Sequence, residues 1–223
     1  MAEEFRGVAL PRSERDLAMA RRVIAARQIL DRVQGNEELA GLLAEEGYDS
    51  ATILEGLALQ ESAQIAINAR QEALARVYIS DEALEEDRER AVSRFKHFRA
   101  RVTESFQDRE AREDLGVFAE IPGDARTFYA VAHAAYENAL RPEYQDALAA
   151  HGYPGESLRD ELEIVEAYAT AEESHEMAIQ ALQQADADRN AAVAALDRWM
   201  ERFKKLAKVA LRDRLDLQER LDL

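Results

Sequence analysis

The residues whose types and spacing come nearest to chemistry lie in Glu172-Glu173-Ser174-His175-Glu176. Glu172 and His175 stand three apart, so on a helix both project from one face, and ferritin-like di-iron proteins use that Glu-x-x-His spacing. His133 and Glu137, at i and i+4 on another helical stretch, would complete a mixed metal site with Glu172 and His175. A twofold di-iron site needs the motif on two helices, joined by a carboxylate from each of two others. Aligning the chain with itself on Gly47-Tyr48 and Gly152-Tyr153 puts Ile67 at the Glu172 position and Arg70 at the His175 position. The twofold ligand set is therefore missing, and a solvated helix face is the simpler reading.

Other chemistry lacks its usual supports. There is no cysteine, no Gly-x-Ser-x-Gly elbow, no P-loop and no Gly-x-Gly-x-x-Gly. His97 lies in a basic helical segment and His151 at a helix end, where a surface imidazole or a helix-dipole partner is the ordinary explanation. The sequence gives no catalytic residue and no cofactor. Two basic stretches stand out, one around Arg94 and Arg101, the other around Arg198, Arg202 and Lys205. Either could hold an anionic partner, but neutralising acidic helices packed beside them is the favoured account. The stripe Phe95, Phe98, Trp199 and Phe203 reads as core. The apolar ending, with Leu217, Leu221 and Leu223, must pack on something, and another subunit is a candidate.

The surrounding chain has to be helical to position any of these groups. Its 223 residues are 47% hydrophobic and 33% charged, with only 9 Gly and 4 Pro. Ala, Leu, Glu and Arg dominate, which favours helix. A chain of this length can bury about 70% of its unfolded surface. The net charge of -16 argues against nucleic acid as a partner, since phosphates would be repelled over most of the surface. The start Met-Ala-Glu-Glu-Phe-Arg has acidic residues where a secretory signal would be basic and apolar, and no apolar run has bilayer-spanning length. The expectation is a cytoplasmic protein without membrane insertion.

Helix signals come in order. Ser13-Glu14-Arg15-Asp16 reads as a capping box that opens a helix running to Gly35, and Asn36 caps a short one ending at Gly47. A third helix is expected from Asp49 or Ser50 to about Tyr78, and a fourth from Ser80 to about Arg112. Breakers gather between Leu115 and Asp124, with Gly116, Pro122 and Gly123. Asp124 then caps a helix through Leu140, a short helix follows Pro142 to His151, Ser157-Leu158-Arg159-Asp160 is a second capping box, and two helices fill the remainder.

That order repeats, and so do residues. Leu43-Ala-Glu-Glu-Gly47-Tyr48 parallels Leu148-Ala-Ala-His-Gly152-Tyr153, where glycine at C′ takes the left-handed conformation and the following Tyr packs on the Leu at C3. Val92, Phe95, Phe98, Val102 and Phe106 match Val193, Leu196, Trp199, Phe203 and Ala207 in spacing. An aromatic residue, an Ala-rich turn and a basic stretch lead into Leu-x-x-Leu-x-Leu, and Leu115-Gly116-Val117 echoes that ending internally. Over about thirty residues of each copy this resembles uncharacterised bacterial all-helical tandem-repeat proteins, whose last residues often read Leu-Gly-Ile. No function comes with the resemblance.

The sequence thus predicts an all-α fold of two tandem pseudo-symmetric helical repeats packed as an antiparallel helical bundle. The N-terminal segment is 1–12, repeat 1 is 13–117, the linker is 118–123 and repeat 2 is 124–223, with one shared core favoured over two bundles. The leading functional reading is a non-catalytic scaffold or interaction protein whose partner is itself or another protein. The alternatives are a ferritin-like four-helix-bundle metal-binding protein and an adaptor for an anionic partner through basic helix faces.

Overall fold

In the computed structural model, which describes residues 13–221, every regular element is a helix. They are α1 (Glu14–Gln34), α2 (Glu37–Glu45), α3 (Ser50–Ser105), α4 (Arg109–Asp114), α5 (Ala125–Ala139), α6 (Pro142–Ala150), α7 (Gly155–Ala210) and α8 (Leu215–Arg220). The segment 1–12 and Leu223 lie outside the described residues. Among those described, no helix is long and apolar enough to cross a membrane.

The helix starts follow local chemistry. Ser13, Asn36 and Asp124 each accept a hydrogen bond from the amide three residues on, and the Asp49 carboxylate does the same for Thr52 at the head of α3. Three of the stops are Schellman motifs. Gly47 (φ 88°) and Gly152 (φ 81°) take the left-handed conformation, and the amides of Tyr48 and Tyr153 reach back to the carbonyls of Leu43 and Leu148, each at 2.9 Å. Gly116 closes α4 in the same way.

The expected break near Ser80 is absent: α3 is one helix of 56 residues, as is α7, so each is about 84 Å long. No Gly or Pro occurs between Gly56 and Gly116, or after Gly155, and without a breaker the helix continues. Ser80 points its hydroxyl back to the Val77 carbonyl at 3.0 Å, a bond made inside a helix, and caps nothing. Ser157 likewise lies within α7, which starts two residues earlier, after Pro154. Asp108 caps a separate helix, α4, where the sequence suggested that the fourth helix ran on to Arg112.

Two compact units result. The first takes the chain up to Ala75 and from Ala181 onward; the second takes Arg76 to Gln180. In the first, Val23, Leu30 and Val33 of α1, Leu39 and Leu43 of α2, Ile53 and Ala63 of α3, and Leu196, Trp199 and Phe203 of α7 bury together with Leu211, Leu217 and Leu221. Tyr48 meets Trp199 and Phe203 edge-on, and those two rings stack at 5.4 Å. In the second unit Ala91, Phe95, Phe98 and Val102 of α3 and Leu115 bury with Phe128, Ala132 and Tyr136 of α5, Leu148 of α6, and Leu158, Val165 and Tyr168 of α7.

Candidate functional site

Glu172 and His175 belong to the face that α7 turns inward in the second unit. Val165, Tyr168, Glu172 and His175 follow one another in steps of three and four, and all are buried or half-buried. The spacing that suggested metal ligation is therefore also the spacing of a packing face. His175 Nδ1 lies 3.0 Å from Ser80 Oγ, and its Nε2 lies 4.0 Å from an Asp81 carboxylate oxygen. The Ser80 hydroxyl therefore lies between the Val77 carbonyl and the His175 ring, within hydrogen-bond distance of both.

The other proposed ligands are held elsewhere. His133 Nε2 on α5 lies 4.0 Å from Glu166, with its ring against Tyr129, and Glu137 is exposed. Among the described residues no group of three or more His, Asp or Glu side chains is placed to hold a metal ion.

Two buried polar clusters had no clear signal in the sequence. In the first unit Arg189 donates to Asp16 at 2.7 Å and pairs with Asp186 at 2.9 Å, while Arg70 reaches the same two carboxylates at 3.3 and 3.1 Å. Only 7% of the Arg189 side chain is exposed, and its Nε has no partner. Burial pushes the Asp16 carboxyl up, but the Ser13 hydrogen bonds and the guanidinium groups of Arg70 and Arg189 outweigh it, leaving the group below its ordinary value. In the second unit Tyr136, at 2.9 Å, and Tyr153 both donate to one oxygen of the buried Glu161, whose other oxygen lies 3.9 Å from Arg94. Burial, then the Glu161 carboxylate, raises both phenols well above their usual range, so they remain donors. The one forward sign was the self-alignment that set Arg70 opposite His175.

The Asp16 cluster sets a pH dependence. A depressed carboxyl contributes stability that is complete above the unfolded value, 3.8, and is lost as pH falls through the lower native one. Asp16→Asn is expected to cost about 2 kcal/mol at neutral pH, because two cations lose a shared partner, and to flatten the acid limb of stability. Urea unfolding of both proteins at neutral pH and near pH 3 measures this, and an unchanged acid limb would count against it.

The basic stretches differ from one another. Arg94 faces Glu161, Arg101 pairs with Glu104 at 3.1 Å, and Arg88 and Arg90 pair with Glu85, Glu86 and Asp87. On α7, Arg198 and Arg202 instead flank a shallow cleft of about 420 Å³ with Leu59, Ala195 and Glu201, and Lys205 is exposed beyond it. Leu217 and Leu221 are buried in the first unit's own core, so the apolar ending, as far as it is described, packs within the chain.

No known family model, curated protein or solved structure matches this chain.

Proposed function

We propose that the chain is a non-catalytic helical scaffold or interaction protein that self-associates along its long helices. It is built from two tandem pseudo-symmetric repeats whose long helices pack antiparallel. Gly56 meets Trp199 and Arg70 meets Asp186 in one unit; Ser80 meets His175 and Arg94 meets Glu161 in the other. The starts at Ser50 and Gly155 set an offset of 105 residues between copies. Under that offset Arg70 corresponds to His175 and Asp81 to Asp186, so the Arg70–Asp186 and His175–Asp81 pairs are one contact drawn twice. Paired long helices offer extended faces to partners.

Self-association is carried by one observation in the second unit. Tyr78 and Ile79 on α3 are 50% and 53% exposed, and Met177 on α7, two residues from the Ser80–His175 bond, is 69% exposed. Large apolar side chains gathered at one level of a helix pair favour a covered surface, and a second copy of the chain can cover it.

Native mass spectrometry of the untagged protein tests this. A defined oligomer is expected, shifting to monomer in Tyr78→Glu/Met177→Glu. A wild-type monomer throughout the micromolar range would overturn the reading, and metal ions bound to that monomer would put the metalloprotein alternative in its place.

A further inference from the structure

The unpaired basic face of α7 points to a second, separate interaction. We infer that Arg198, Arg202 and Lys205, with the cleft beside them, dock an acidic amphipathic helical segment of a partner protein. This does not depend on the self-association proposed above, since it uses a different unit and a different face.

Three observations support it. First, the two basic stretches are not equivalent. On α3 the arginines of the stretch are engaged within the chain: Arg88, Arg90, Arg94 and Arg101 meet carboxylates and Arg99 donates to the Val117 carbonyl. On α7, Arg198, Arg202, Lys205 and Lys208 make no hydrogen bond or ion pair with any described residue, although carboxylates outnumber cations 45 to 29 in the chain. A chain so acidic leaves a run of cations unpaired against its own electrostatic interest, and an anionic partner would relieve that.

Second, the run is ordered. Positions 198, 202, 205 and 209 recur at helical spacing, so Arg198, Arg202, Lys205 and Val209 form one stripe over about 17 Å of helix. Third, apolar groups flank the charges. Leu59 and Ala195 line the cleft, and Val209 is 55% exposed.

Spaced cations beside apolar surface complement a helix with carboxylates at i, i+4 and i+7 and apolar residues between them. Nucleic acid fits less well. The aromatic residues of this region, Tyr48, Trp199 and Phe203, are buried and offer no face for base stacking.

The test is fluorescence anisotropy with the full chain and a labelled helical peptide of Glu and Leu at heptad spacing, against a labelled oligothymidylate of similar length. The peptide should bind at low salt and weaken steeply as salt is added. Arg198→Glu/Arg202→Glu/Lys205→Glu should weaken it by about ten-fold or more, while Arg90→Glu/Arg101→Glu on α3 should leave it unchanged. Arg198→Gln/Arg202→Gln/Lys205→Gln gives a smaller loss in the same direction and serves if charge reversal disturbs folding. A peptide that does not bind at low salt, or binds the Gln variant as well as wild type, overturns the inference. Tighter binding of the oligothymidylate would reassign the stripe to nucleic acid.

Discussion

A chain shortened to residues 124–223 is expected to show no cooperative unfolding transition as a monomer. Each unit draws its core from residues on both sides of position 124. The second unit would lose Phe95, Phe98, Val102 and Leu115, all fully buried, together with Ala91. At about 1.5–3 kcal/mol for each large apolar side chain, the four forfeit about 6–12 kcal/mol, as much as a whole domain usually has to spare. The first unit would lose α1, α2 and its part of α3, leaving Trp199 and Phe203 without Leu30, Leu43 and Tyr48. Urea unfolding followed by far-ultraviolet circular dichroism measures this, and co-expression with residues 1–123 should restore a single transition. A cooperative transition of the fragment alone, independent of its concentration, would show that residues 124–223 fold by themselves and that the core residues supplied from before position 124 are not required.

What could be read from the sequence was whatever short-range chemistry decides. Ser13, Asn36, Asp49 and Asp124 cap where their side chains predict, and Gly47 and Gly152 stop helices because a left-handed residue is needed there. Tyr78-Ile79-Ser80-Asp81 misled because β-branched, aromatic and hydroxyl residues weaken a helix without ending one. The apolar stripes also hide their register. Phe98 can be set against Trp199 or, one turn on, against Phe203, since a shift of four residues keeps the same face. Element bounds of 50–105 and 155–210 favour Phe98 against Phe203 and Phe95 against Met200, all buried.

The candidate site was harder to read because its meaning lies in partners distant in sequence. Glu172 and His175 look alike whether they face a metal or Ser80. The paired arginines of α3 look like the unpaired ones of α7 until Glu161, 67 residues beyond Arg94, is set beside it. Glu161 itself sits among many exposed glutamates in the sequence, and only burial with Tyr136 and Tyr153 distinguishes it.

Gly56→Glu is expected to destabilise the chain by about 3 kcal/mol or more, and Trp199→Arg to recover part of that loss when the two are combined. A Cβ at Gly56 would lie 2.5 Å from the Trp199 ring, and that ring cannot swing aside, because Phe203 stacks on it and Tyr48 meets its edge. A carboxylate there would be both overpacked and buried against an indole without a partner. Under the offset of 105, Gly56 corresponds to Glu161 and Trp199 to Arg94, so the double variant writes the second unit's ion pair into the first. Trp199→Arg alone should cost about 3–5 kcal/mol through the emptied aromatic layer. If the two positions act as a pair, the double variant will be more stable than the sum of the singles predicts by about 1.5 kcal/mol or more, read from urea unfolding of all four proteins. Strict additivity would mean that the aromatic and ionic pairs do not exchange, and would remove the strongest energetic argument that the units are two versions of one design. Positive coupling would also explain why two fragments of residues 124–223 should not pair with one another: Glu161 would then face Trp199 where the whole chain supplies glycine.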